Sequence, residues 1–224
     1  VMQEDTRTEG SDANGVLMVE PAKPWENVRF RGEDVKLGAT LAESGTVLTA
    51  GRIALLAAAG LPKVAVGRRP LVGLVATGSE LREAGEALSP GQIYESNRTA
   101  LAALVQRAGG VPRVFPIVSD SPVATRTALE LAFAESDLLV TCGGVSVGEL
   151  DFIRPVFEQL GGRLQFWKVA IKPGRPFVFG RRREKFLFGL PGNPVSAFVT
   201  FLLLVRPALL RWQGVNDVSL PAHP

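Results

Sequence analysis

The sequence is poor in the residues that most often carry polar chemistry. Its 224 residues include one cysteine, Cys142, and one histidine, His223. A lone cysteine excludes an intrachain disulfide and a CxxC zinc site, and it fits a reducing compartment, most simply the cytoplasm. A lone histidine in the last residues argues against a Ser-His-Asp triad and a histidine-rich metal centre within the chain. Net charge is also scarce, at +3, so composition does not argue for nucleic acid. The longest apolar run, Val195 to Val205, stops at Arg206-Pro207, short of the ~20 residues of a membrane span. The first residues, Met2-Gln3-Glu4-Asp5, are polar and acidic and lack the apolar core of a signal peptide. Val1 does not read as a natural start, and Leu220-Pro221-Ala222-His223-Pro224 reads as the lead into a further segment.

Glycine and proline are plentiful, at 24 and 16, and they punctuate the chain into elements. Residues 1–34 are polar, with short strand-like pieces at Gly15–Val19 and Asn27–Phe30, and read as a partial β-rich module. Residues 35–70 read as a linker with one helix, Ala50–Ala59, then a short strand at Val64–Val66 and a connecting Arg68-Arg69-Pro70. Residues 71–214 are regular. Strands are expected at Leu71–Ala76, Pro112–Val118, Asp137–Thr141, Arg163–Ala170, Pro176–Phe179 and Phe186–Leu190. Helices are expected at Asn97–Arg107, Ser121–Ala134, Phe152–Leu160 and Pro194–Arg211. This alternation predicts an α/β domain, a mostly parallel sheet with helices on both faces, and one antiparallel hairpin near its end. Residues 215–224 read as the start of a C-terminal domain.

Ligands of open α/β sheets bind beyond the carboxyl ends of the strands, and three loops there carry polar groups. Thr77-Gly78-Ser79-Glu80-Leu81 follows the first strand. Cys142-Gly143-Gly144-Val145-Ser146-Val147-Gly148-Glu149-Leu150-Asp151 follows the third, and Pro191-Gly192-Asn193-Pro194-Val195-Ser196 follows the last. Gly143, Gly144 and Gly148 let backbone N–H groups approach an anion, and Ser146 adds a hydroxyl. A tight turn with Asp151 as an N-cap requires the same pattern. Ser196 falls among the amides expected to be free at a helix start, after Pro194 at its first position. Neither GxGxxG nor GxxxxGK[ST] is present.

Charge is concentrated where those loops end. Lys168, Lys172, Arg175, Arg181, Arg182, Arg183 and Lys185 fall within eighteen residues, opposed by Glu184 alone. If Lys168 to Lys172 is extended, the two lysines share a face. Lys172-Pro173-Gly174-Arg175-Pro176 is a stiff turn suited to a compact oxyanion, while Arg181-Arg182-Arg183 reads as a solvated hairpin tip. Glu80, Asp120 and Asp151 each follow a strand, and carboxylates beside phosphates imply a divalent cation, most plausibly Mg²⁺.

Together these strings, with Ile93-Tyr94-Glu95-Ser96-Asn97-Arg98, resemble the molybdenum cofactor biosynthesis family. The upstream Arg31-Gly32-Glu33-Asp34-Val35 and the Lys-Pro-Gly turn favour its molybdopterin molybdenumtransferase branch, which includes MoeA and the gephyrin E-domain. The resemblance implies a cytoplasmic, dimeric, multidomain transferase. It would bind molybdate and adenylylated molybdopterin, place molybdenum on the dithiolene and release AMP in a Mg²⁺-dependent step. An upstream adenylyltransferase is an expected partner; nucleic acid and membrane are not. Active-site positions implied by motif are Asp34, Glu80, Asp120, Asp151, Lys168 and Lys172, with Glu80, Asp120 and Asp151 toward the metal. Ligand-holding positions are Thr77, Gly78, Ser79, Gly143, Gly144, Ser146, Gly148, Arg175, Pro176, Pro191, Gly192, Asn193 and Ser196; of these Arg175, Pro176 and Ser196, together with Lys172, fall to molybdate. Ser79 and Glu95 stand where the family often has Asp, and Arg175 where it often has Lys. The family's Asp-Gly-Tyr-Ala motif and most of its C-terminal β-domain are not in this sequence, so a chain that binds without turning over is expected. An adenylyltransferase or nucleotide hydrolase sharing the domain, or a gephyrin-like scaffold, is the alternative.

Overall fold

A computed structural model describes residues 2–9, 15–145 and 151–220. The expected ligand residues Ser146 and Gly148 lie outside the described residues. The chain divides into two compact units, residues 1–43 with 48–63, and residues 44–47 with 64–224.

In the first unit, β1 (Thr6–Glu9) pairs antiparallel with β2 (Gly15–Met18), and α1 spans Ala50–Ala58. Thr49 caps α1 by accepting the Arg52 N–H, and Gly60 ends it at φ +79°. Asn27–Phe30 is not a strand. Trp25 and Asn27 have positive φ, which breaks an extended run.

The second unit is built on a six-stranded sheet. Its strands are β3 (Leu71–Ala76), β6 (Val111–Val114), β7 (Leu138–Cys142), β8 (Arg163–Trp167), β9 (Val178–Arg182) and β10 (Lys185–Leu190), in the order β6-β3-β7-β10-β9-β8. Neighbours from β6 to β10 are parallel, whereas β9 is antiparallel to both β10 and β8. Strand β8 therefore runs with the parallel set, so its carboxyl end lies on the same sheet edge as those of β3, β7 and β10. A two-residue pair, β4 (Leu81–Arg82) and β5 (Ile93–Tyr94), stands apart from this sheet.

Both faces are covered, as the alternation along the strands requires. Val72 and Leu74 of β3 with Leu138 and Val140 of β7 pack on α2 (Asn97–Arg107) and on the last helix. Val75 and Leu139 face α3 (Pro122–Glu135) and α4 (Ile153–Gln159) through Leu129, Phe133, Ile153 and Phe157. The last helix runs as α5 (Pro194–Thr200), a π-helical turn at Phe201–Val205, and α6 (Arg206–Trp212). Pro207 lacks an N–H and its ring crowds the carbonyl one turn back, and the widened turn just before it places the Arg206 N–H on Phe201 O. The helix continues past Arg206-Pro207, so by length and composition Pro194–Trp212 is long and apolar enough to cross a membrane. Here its Ala197, Phe201, Val205 and Leu209 belong to the sheet's core.

Other elements differ from expectation for local reasons. Val64–Val66 is exposed and unpaired. The expected linker arginines are anchors: Arg68 forks onto Asp137 at 2.7 and 2.9 Å, and Arg69 donates to the Gly109 and Gly110 carbonyls. Strand β6 ends at Val114, after which only Thr77 and Val118 bridge. Strand β8 ends at Trp167 because Lys168 takes φ +69°, so alternation does not relate Lys168 to Lys172.

Candidate functional site

At the carboxyl ends of β3 and β7 the sheet order changes direction, since successive connections from β3 lead outward to β6 and back to β7. Such a reversal leaves a crevice between the two loops. A cleft of about 320 Å³ opens there, lined by Thr77, Gly78, Glu80, Asp120, Gly143, Gly144, Asp151 and Gly192. Eight of the expected residues, drawn from four separate loops, are thus brought to one hollow.

The glycines are needed for space as well as for conformation. Gly144 has φ +65°, and a Cβ on it would fall 2.8 Å from Thr77 Oγ1 and 2.9 Å from Ile153 Cγ1. On Gly143, at φ +82°, a Cβ would fall 2.6 Å from Thr77 O. The backbone there presses on β3 so tightly that only hydrogen fits. Thr77 is buried at 8% exposure, and among the described residues its Oγ1 has no hydrogen-bond partner. An unpaired buried hydroxyl at a cleft wall is a polar group that a ligand can satisfy.

The acids are held differently from one another. Asp120 Oδ2 accepts the Ser79 N–H at 2.8 Å while Ser79 Oγ accepts the Asp120 N–H at 3.0 Å, which locks the two loops together. Glu80 is exposed, with its carboxylate folded over Gly78. The helix α4 begins at Ile153 and its capping position is Phe152, which makes no side-chain cap bond, so Asp151 stands one residue before the cap. Among the described residues no three His, Cys, Asp or Glu side chains gather closely enough to form a metal cage. Cys142 also lines the cleft, but burial, reinforced by Glu95, pushes its thiol pKa up and keeps it protonated and unreactive.

The basic residues do not line the cleft; Lys168, Lys172 and Arg175 stand on the same sheet edge, between the carboxyl end of β8 and the amino end of β9. The Lys168 N–H donates to Phe177 O at 2.8 Å and the Val169 N–H to Arg175 O at 3.1 Å, which folds residues 168–177 into a narrow loop. Its tip packs on α5, since a Cβ on Gly174 would fall 2.5 Å from Thr200 Cγ2 and 3.8 Å from Ser196 O. Lys172 and Arg175 are exposed there, and Pro176 is partly buried. The Ser196 amide is not free: Asn193 caps α5 by accepting the Ser196 N–H at 3.1 Å and its hydroxyl at 3.3 Å. Pro191 is buried behind the same loop. Asp34 belongs to the other unit, where it pairs with Arg29 at 2.5 Å. The arginine run is not wholly solvated, since Arg182 Nε donates to Leu160 O at 2.7 Å.

Two contributors carry no expected role. Asn97 lines the cleft and donates to Gly192 O at 2.8 Å, joining α2 to the β10–α5 loop. Arg98, at 4% exposure, donates to Glu95, Glu83 and Phe115 O, so one buried guanidinium holds both ends of the 83–95 segment, which follows Glu80 in the chain. Both sit in the Ile93–Arg98 string, which marked them as part of a motif but not as a clamp.

Fold and cleft together define a doubly wound α/β domain with a cleft at the strand switch point. Residues 73–211 match the probable molybdopterin binding domain, and residues 1–60 match the MoeA N-terminal region, domains I and II. A molybdopterin molybdenumtransferase of Haemophilus influenzae is 41% identical over 223 residues, covering 100% of this chain and 54% of the relative. One of Nostoc is 39% identical over 218 residues, covering 96% and 49%. A solved MoeA protein from Pyrococcus horikoshii superposes with TM-score 0.77 at 35% identity, covering 97% of this chain and 53% of that one. The chain belongs to the molybdopterin molybdenumtransferase (MoeA) family and to molybdenum cofactor biosynthesis. It spans about half the length of the curated relatives it matches.

Proposed function

We propose that this chain supplies the substrate-binding domain of a molybdenumtransferase, holding adenylylated molybdopterin while molybdate delivers molybdenum to the dithiolene and AMP leaves. The observation that carries this is the single cleft into which Thr77, Gly78, Gly143 and Gly144 bring backbone and hydroxyl groups beside Glu80, Asp120 and Asp151. Close-fitting glycines with an unpaired hydroxyl suit a phosphate group, and the acids suit a cation that offsets its charge. Glu80, Asp120 and Asp151 are the residues that would hold Mg²⁺, whose chemistry there is neutralisation of the phosphate charge. Lys172, Arg175 and Ser196, grouped where the Gly174 turn meets α5, form the molybdate-holding side. Asp34 is assigned to the reaction by its motif. The whole protein acts as a cytoplasmic homodimer and receives its pterin from an adenylyltransferase.

The test is a pair of incubations with the whole protein that contains this chain. Adenylylated molybdopterin with molybdate and Mg²⁺ yields molybdenum cofactor and AMP, and ATP with free molybdopterin yields no adenylylated pterin. The reverse pattern identifies an adenylyltransferase and overturns the proposal.

A further inference from the structure

Trp167, the last residue of β8, carries two cations. The Arg154 guanidinium carbon lies 4.4 Å from its ring centroid and Lys168 Nζ lies 4.1 Å from it. The indole is itself fixed, since its Nε1–H donates to Val145 O at 3.3 Å. Arg154 stands in the first turn of α4, whose start is bound to the cleft glycines through the Ile153 N–H and Gly144 O at 3.3 Å. Lys168 is placed by a backbone in the left-handed region, φ +69°, which a side-chain-bearing residue rarely adopts. A left-handed backbone is thus used to keep a second positive charge on the same indole.

The electrostatics of this arrangement are unfinished. Among the described residues, neither Arg154 nor Lys168 has a carboxylate or carbonyl partner, and neither do Lys172 and Arg175 at the same sheet edge. Five other arginines of the unit are matched by carboxylates: Arg68 with Asp137, Arg98 with Glu83, Arg113 with Glu135, Arg126 with Glu130 and Arg181 with Glu184. Two like charges sharing one indole repel each other, and the quadrupole of a ring offsets only part of that. An anion reached by both removes the repulsion and restores a full set of hydrogen bonds to the guanidinium fork. Trp167 acts as the rest that holds both side chains extended until the anion arrives, which lowers the ordering cost of binding.

We infer that Arg154 and Lys168, displayed on Trp167 beside the Gly143-Gly144 loop, form a diphosphate-holding pair at the flank of the cleft. The inference deepens the proposed function, because the diphosphate it takes is the linkage within an adenylylated pterin, but it needs only the phosphoryl oxyanion chemistry. Lys168 was expected at the site from sequence; Arg154 and Trp167 were not.

The experiment titrates the chain calorimetrically with inorganic pyrophosphate and with AMP, in metal-free buffer so that the protein's own cations are read. Arg154→Gln is expected to weaken pyrophosphate by roughly ten- to a hundredfold, the loss of a charge-assisted bond, and to weaken AMP less. Arg154→Lys should recover part of the affinity, and Arg107→Gln, at the exposed end of α2, should bind as the parent does. A parallel titration of the Trp25→Phe, Trp212→Phe protein should show pyrophosphate changing Trp167 fluorescence, a readout independent of whether Arg154→Gln folds. Unchanged pyrophosphate affinity in Arg154→Gln, or a silent Trp167 while pyrophosphate binds, overturns the pair and leaves the proposed function standing. AMP binding without any pyrophosphate binding also overturns the pair alone. A folded parent that binds neither overturns the reading of the cleft as well.

Discussion

At the scale of single residues, Asp151 is the sharpest case. Its sequence position equally suited an N-cap, but the capping position of α4 is Phe152 and Asp151 lines the cleft instead. Removing a cap costs ~1 kcal/mol of stability, and that is not the effect expected here. In the full-length protein, Asp151→Ala should leave the domain folded while molybdenum insertion falls by ~10²-fold or more, as misplacement of reacting groups does. Insertion assays beside thermal melts decide the matter: near-normal insertion returns Asp151 to the status of a surface acid. Lys172 makes the complementary case on the other side. It is exposed at a turn whose Gly174 is wedged against Thr200, so the turn cannot easily move to replace a lost charge. Lys172→Ala should cost ~1.5–3 kcal/mol in molybdate affinity and less for the adenylylated pterin. Equal losses for both ligands in calorimetry would remove the turn from the molybdate side.

At the scale of elements, the clamp around Arg98 holds the segment between β4 and β5 against α2 and the end of β6. Its partner Glu95 is as buried as it is, with side-chain exposures of 4% and 2%. Breaking a buried pair from one side strands the other charge, at ~3–5 kcal/mol. Arg98→Met should therefore lower unfolding free energy by that amount in urea titrations, and a loss below ~1 kcal/mol would show that the network is not buried in solution. The glycine loop gives an element-level test of binding. Gly144→Ala adds a Cβ that meets Thr77 Oγ1 and Ile153 at under 3 Å in a backbone at φ +65°. Ligand affinity should drop at least tenfold even where the domain remains folded, because the loop must move away from β3. Parent-like AMP affinity in a folded Gly144→Ala protein would show that the loop does not form the ligand wall. Sequence made some elements plain and hid others for physical reasons. Strands β3, β7 and β10 are buried on both faces and read as unbroken apolar runs. Strand β1, Thr6–Glu9, has no apolar face to reveal it, and β4 and β5 are two residues each, too short for any period. The last helix was legible as one run, but its π-helical turn depends on how Pro207 is accommodated, which no pattern of residue types states.

At the scale of the molecule, the site is a product of topology. Residues from loops far apart in sequence meet because β3 and β7 are neighbours with parallel direction, and the order of strands was not written in any one motif. The loops themselves were legible, since glycines, acids and cations follow the strand ends, and eight expected residues do share one cleft. Pairings across those loops were not: Asn193 capping Ser196, Ser79 locking Asp120, and Arg154 resting on Trp167 are contacts between residues whose types alone predict nothing. The central claim is that this cleft is the seat of the adenylylated pterin, and that claim attaches to the 224-residue chain itself. The site lies within one unit with its own core, so binding should not require the rest of the protein. The most direct measurement is a calorimetric titration of this chain with adenylylated molybdopterin in the presence of Mg²⁺, on a preparation shown to be folded by circular dichroism. The account predicts saturable binding at one site per chain, competed by AMP; a folded chain that gives no binding heat and no competition would contradict it.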